Sequence, residues 1–223
     1  MKLTVTQKMA SLAGSALLGI ALLAGLGQQQ MNKVFEAANF GNEKTVPSLM
    51  TLDDAVRSFS QIRVRVYRHV LNNDATKTAA IDKSIKDAQD QTEKAFKDYE
   101  SLASDDKDRQ MLAANRALLK EYTATLEPVL ALSRQNKTAE ARDALPQVAA
   151  LAEKLNTAID DQIAYSAQLG KKSADEAAAA KASALNLSLL IAALTLGVVG
   201  LIAFTVTRAF LRQLGGEPEA AAD

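Results

Sequence analysis

Cysteine and tryptophan are absent from the 223 residues, histidine occurs once, proline four times, and aromatic residues make up only 4%. Without cysteine no disulfide can staple a domain, which is compatible with a bacterial periplasm. No glycine-rich phosphate loop and no G-x-S-x-G nucleophile motif is present. The chain is therefore expected not to be an enzyme and to need no cofactor. The lone His69 has no partner at metal-ligand spacing, so no metal is expected, and beside Arg68 it reads as a surface residue. Basic and acidic residues number 26 each, a formal net charge of zero that gives no footing for nucleic acid. Asp53-Asp54, Asp105-Asp106 and Asp160-Asp161 are adjacent carboxylates, but neighbouring helical positions point in different directions. They read as caps and solvated faces rather than acid–base dyads.

Two long stretches lack charge altogether. No ionisable side chain occurs between Lys8 and Lys33, or between Lys181 and Arg208. A bilayer core of about 30 Å needs roughly 20 apolar residues in a helix, and both stretches reach that length. Residues 9–29 and 187–207 are read as transmembrane helices. A cleaved secretory signal is the alternative for the first. Signal cores are usually about 7–15 residues long and end in a small-x-small site, whereas this run is longer and closes without one. Lys2 and Lys8 precede the first span, and Arg208 and Arg212 follow the second. Positive charge at span ends stays cytoplasmic. Residues 1–8 and 208–223 are accordingly expected inside and residues 30–186 outside, in a multi-pass protein of the bacterial inner membrane.

The external segment carries helical periodicity. Leu49, Leu52, Val56, Phe59, Arg63, Val66 and Val70 alternate at spacings of three and four. Ile81, Ile85, Ala88, Thr92, Ala95, Tyr99 and Leu102 repeat the pattern, as do Leu112, Asn115, Leu119, Tyr122, Leu126 and Val129. A fourth series runs Val148, Ala152, Leu155, Ile159, Gln162, Ser166 and Leu169. Four seams of this kind predict an all-α fold, an antiparallel up-down-up-down four-helix bundle flanked by two transmembrane helices. Asn72-Asn73-Asp74 should end the first bundle helix, Ser104-Asp105-Asp106 should cap the third, and Ser133 to Lys137 should close it. Pro128 should kink the third helix, and Pro146 should sit in the first turn of the fourth after a short helical lead-in over residues 138–145. Around Gly41 to Pro47 a bulge or bend is expected, because Pro47 removes a helical hydrogen bond.

The order span, bundle, span resembles the N-terminal half of a bacterial methyl-accepting chemotaxis receptor with a four-helix-bundle periplasmic ligand-binding domain. The run Thr207-Arg208-Ala209-Phe210-Leu211-Arg212-Gln213-Leu214-Gly215-Gly216-Glu217-Pro218-Glu219 looks like the start of a HAMP linker. The resemblance then implies the sensing fragment of a longer receptor, whose remaining part contacts cytoplasmic signalling proteins. Gln61-Ile62-Arg63-Val64-Arg65-Val66-Tyr67-Arg68-His69 is similar to the arginine-bearing segment of the aspartate and serine chemoreceptors. In those receptors arginines spaced by five clasp the ligand carboxylates between two subunits. Arg63 and Arg68 keep the spacing, and the family's third arginine falls on Asn72.

The residues themselves support the same segment. Arg63 occupies a slot where the seam predicts an apolar side chain. A buried unpaired guanidinium is very costly, so it must meet a carboxylate, water or a ligand, with an internal ion pair or snorkelling as the bland alternatives. Gln61, Arg65, Arg68 and Asn72 form a second stripe that could face another copy of the helix or simply be solvated. Tyr67, Tyr122 and Tyr165 offer hydroxyls, though a bundle tyrosine is more often core with a wet tip. Asn115 and Gln162 read as polar layers fixing register, and Arg134 and Arg142 as capping charges at the third-to-fourth connection. Ligand-binding candidates are thus Arg63, Arg68, Tyr67, Gln61, Arg65 and Asn72. The expected ligand is a small organic anion, a carboxylic acid or amino acid, since arginine forks match carboxylates. The expected assembly is a homodimer or higher oligomer in the membrane. A histidine kinase or cyclase sensor, and a domain that recognises another periplasmic protein, are the rival readings.

Overall fold

The computed structural model describes residues 4–72 and 74–214. Among these the chain is helical apart from short connections: α1 Val5–Phe40, a π-helical turn Gly41–Thr45, α2 Val46–Leu71, α3 Ala75–Tyr99, α4 Asp106–Arg134 and α5 Thr138–Leu214. It is an all-α four-helix bundle, built from α2, α3, α4 and the first part of α5. Residues Asn39–Ser173 form one compact unit, and the described residues flanking it on both sides fall in another.

The bundle core follows the expected seams closely in three helices. Buried are Ile85, Ala88, Thr92, Ala95 and Tyr99 of α3, Leu112, Asn115, Leu119, Tyr122, Leu126 and Val129 of α4, and Val148, Ala152, Leu155, Ile159, Gln162 and Ser166 of α5. Burying each large aliphatic or aromatic side chain contributes about 1.5–3 kcal/mol. Phe59 and Tyr122 pack edge to face with ring centroids 4.9 Å apart, the geometry the ring quadrupoles favour. In α2 the stripe departs from expectation: Leu52, Ala55, Phe59, Ile62 and Val66 are buried, so Ile62 fills the slot assigned to Arg63.

Each break has a local cause. Asn72 is extended, and its side-chain amide donates to Asp74 O at 2.7 Å and Thr78 Oγ1 at 2.8 Å, while Asp74 caps α3 by accepting from Thr76 N and Lys77 N. Asp105 caps α4, accepting from Asp108 N at 2.9 Å. Asn136 takes a left-handed conformation (φ 58°), which asparagine tolerates, and Lys137 N donates back to Leu132 O at 3.0 Å to close α4. The expected irregularity before α2 is the π-helical turn, where Val46 N donates to Gly41 O, with Pro47 in the first turn of α2. α4 continues unbroken through Pro128. Pro146 lies inside α5 rather than opening it, because a single lost hydrogen bond does not end a helix already nucleated at Thr138.

Among the described residues two helices are long and apolar enough to cross a membrane, the continuous helix containing α1 and α5. Their apolar side chains, among them Leu17, Leu18, Leu189, Leu194, Leu196 and Leu201, stand exposed, as a lipid-facing surface requires. Gly19 of α1 faces Thr195 of α5, where an added Cβ would come within 2.3 Å of the threonine methyl, so these helices meet through a small residue. Of the HAMP-like run, residues 215–219 lie outside the described residues.

Candidate functional site

Five of the six candidate residues lie on α2 but face three ways, and Asn72 lies just beyond its end. Arg63 and Tyr67 point toward α5. With Val66, Tyr122, Leu145, Val148, Ala149 and Ala152 they line a depression of only about 10 Å³. Arg63 is half-buried and has no hydrogen-bond or ion-pair partner among the described residues, although its charge lies close enough to Tyr122 to act on the phenol. Burial pushes the Tyr122 hydroxyl well above the ordinary phenol value, and Arg63 pulls in the opposite direction.

Gln61 and Arg65 lie on the α3 side. The Arg65 guanidinium donates to Ser84 O at 2.6 Å and to Gln61 Oε1 at 2.7 Å, so both are occupied in joining α2 to α3. Asn72 is occupied in the turn. Arg68 is exposed and, like Arg63, has no ion-pair or hydrogen-bond partner among the described residues. Among the other arginines Arg57 is held by Asp53, Arg116 by Glu100 and Arg134 by Asp82 and Glu127, whereas the exposed Arg142 of α5 has no such partner among the described residues.

His69 is not a surface residue. Its side chain is fully buried where the end of α2 meets α3 and α4. Nδ1 lies 2.9 Å from Ser133 Oγ, and Nε2 lies 3.1 Å from Asp82 Oδ1 without the alignment of a hydrogen bond. The adjacent Arg134 is more than a capping charge. It holds Asp82 through two parallel bonds of 3.0 and 2.9 Å and Glu127 through a third of 2.7 Å. Those bonds raise the arginine further above its ordinary value, and they hold the Asp82 carboxyl below its own against the opposing effect of burial.

At the opposite end lies a polar network only partly anticipated. Asp108 is fully buried and accepts from Tyr99 Oη at 2.9 Å, Gln162 Nε2 at 2.7 Å and Ser104 N at 2.9 Å. Gln162 Oε1 accepts from Asn115 Nδ2 at 2.7 Å, and Tyr99 Oη and Ser166 Oγ share a bond of 2.8 Å. The expected Asn115–Gln162 layer is therefore real and is anchored on a carboxylate in the first turn of α4, where the helix dipole favours negative charge. Asp108 was visible in sequence as the last residue of Asp105-Asp106-Lys107-Asp108, an acidic cap followed by an acid three residues on. Tyr165 is tied to the cap, donating to Asp105 Oδ2 at 2.6 Å.

The chain belongs to the family of four-helix-bundle sensory modules for signal transduction of methyl-accepting chemotaxis proteins, whose model matches residues 2–180. No curated protein and no solved structure matches it.

Proposed function

We propose that this sensory module binds a small organic anion, a carboxylic acid or amino acid, on the periplasmic side of the inner membrane and passes a helix displacement through α5 for chemotaxis signalling. The observation that carries the reading is Arg63. It is a half-buried guanidinium with no carboxylate partner among the described residues, while Arg65, Arg116 and Arg134 all have partners. A carboxylate ligand would supply the missing bonds, with Arg68 adding positive potential five residues further on the same helix.

The depression beside Arg63 is too small for such a ligand, so the binding surface needs a second wall. Val64, Tyr67 and Leu71 are exposed apolar residues at spacings of three and four next to the arginines, a stripe suited to the same helix of another copy. In a homodimer the ligand would lie between two α2 helices, with Arg63, Arg68 and Tyr67 as its contacts. Gln61, Arg65 and Asn72 would then support the helix rather than touch the ligand. A ligand shifts the arrangement only by its difference in affinity for two states. Because α5 is one helix from Thr138 to Leu214, a shift of an ångström or two in its bundle part has a continuous route into its apolar part.

Calorimetric titration of the chain in lipid nanodiscs against a panel of organic acids and amino acids tests this. Arg63→Ala should weaken the binding member at least about tenfold, the loss expected for one charge-assisted hydrogen bond. An affinity unchanged by Arg63→Ala would assign the ligand elsewhere.

A further inference from the structure

Asp82 of α3 and Ser133, Glu127 and Arg134 of α4 close around His69 of α2, and the hydrogens at the ring can be counted. Ser133 Oγ donates its only proton to His69 O at 3.0 Å. Satisfying both serine contacts at once requires Nδ1 to donate to Ser133 Oγ, which assigns the ring hydrogen to Nδ1. In a neutral imidazole the other nitrogen, Nε2, is left with a lone pair. That lone pair is fully buried, makes no hydrogen bond, and stands 3.1 Å from a carboxylate oxygen of Asp82. An acceptor nitrogen thus stands beside a carboxylate, within ion-pair distance though not in line for a hydrogen bond.

We propose that the end of the bundle where α2, α3 and α4 meet is a proton-binding site centred on His69, and that loading it loosens the Asp82–Arg134 bridge between α3 and α4. The charged groups facing the ring are Asp82 from α3 and Glu127 and Arg134 from α4. With a neutral ring these three sum to one negative charge. A proton on Nε2 brings the cluster to zero and turns a 3.1 Å contact between two acceptors into an ion pair. Asp82 Oδ1 then serves two cations, since it already accepts from Arg134 Nη2. The arginine keeps Glu127 as a second partner, so it can shift toward it.

Burial is the largest influence on the ring and disfavours its charged form, and the positive Arg134 adds to that. Asp82 and Glu127 act the other way, leaving His69 below its ordinary 6.5. The sign follows from linkage. A neutral buried ring favours the fold fully above 6.5, and this stabilisation is lost as the pH falls through the lower folded-state value. External acid therefore acts on the residues that close α4. Ser133 and Arg134 are joined to α5 only through Gln135, Asn136 and Lys137. This inference does not depend on the anion site, which lies on the other side of α2.

His69 is the single histidine of the chain, so isotope labelling of histidine gives one ring signal with no assignment needed. The chain in lipid nanodiscs is titrated by NMR, and the distance between spin labels on Lys83→Cys and Gln135→Cys is measured across the same pH range. The ring is expected to take its proton below pH 6.5. In Asp82→Asn, which removes the carboxylate that raises it, the midpoint should fall further. The label distance should change over the interval in which the ring titrates and stay constant in His69→Gln. A midpoint at or above 6.5, a midpoint indifferent to Asp82→Asn, or a distance change that persists in His69→Gln would overturn the proposal. Should His69→Gln fail to fold, the Asp82→Asn midpoint decides alone.

Discussion

Tyr99 shows how much one buried hydroxyl carries. It donates to Asp108 and then accepts from Ser166, linking α3 to both α4 and α5. Burial, reinforced by the Asp108 carboxylate, pushes its phenol up to about 12. A raised value means that the neutral form stabilises the fold, fully below the ordinary 10.0 and progressively less as the pH rises toward 12. Tyr99→Phe should cost about 1–3 kcal/mol at neutral pH, the penalty for leaving a buried carboxylate one donor short. It should also flatten the alkaline fall in stability, which denaturant melts at several pH values would measure. An alkaline limb of unchanged slope would show that Tyr99 is not its source.

The residue scale is also where the sequence was hardest to read. Two series with spacings of three and four pass through Leu52, Phe59 and Val66, one by way of Val56 and Arg63, the other by way of Ala55 and Ile62. The second is the core. Ala55 and Ile62 are both apolar and could have decided the choice. Arg63 consequently lies on the flank of the seam, half-buried, which is where a charged group can be both held and reached. His69 falls on the same series one step further, so the misplaced seam also explains why it read as exposed. No pattern in the sequence pairs it with Ser133 or Asp82, since those contacts span 64 residues in one case and join separate helices in the other.

At the scale of elements nearly everything was legible, because caps and breaks are local. Asp74, Asp105 and Asn136 act where their chemistry predicts, and the α3, α4 and α5 seams match burial almost residue by residue. The π-helical turn was legible only as an irregularity. Its packing depends on a contact remote in sequence: a Cβ added at Gly170 of α5 would sit 2.5 Å from the Thr45 methyl and 3.1 Å from its Cβ. Thr45 is β-branched and cannot easily rotate away, and its buried hydroxyl has no hydrogen-bond partner among the described residues. Gly170→Ala should therefore destabilise the bundle by about 1–3 kcal/mol through overpacking. Thr45→Ala should recover most of that loss when combined with it. Additive losses in the double variant, read from chemical denaturation, would mean that the two positions do not meet.

For the whole molecule, hydropathy supplies two helices able to span a membrane, and charge supplies a direction. Lys2 and Lys8 before one apolar stretch and Arg208 and Arg212 after the other favour cytoplasmic ends. Membership of a sensory family agrees with a domain that receives a signal. The proposed anion site at Arg63 and the proposed proton site at His69 are both framed for a bundle that faces the periplasm.

The absence of native cysteine makes that placement directly measurable. Lys154→Cys lies on an exposed face of the bundle, and Thr6→Cys lies at the start of α1. Intact cells expressing each variant are treated with a thiol reagent that does not cross the inner membrane. Periplasmic placement predicts that position 154 is labelled in intact cells and that position 6 is labelled only after the membrane is opened. Protection of position 154 in intact cells would contradict a sensor facing outward.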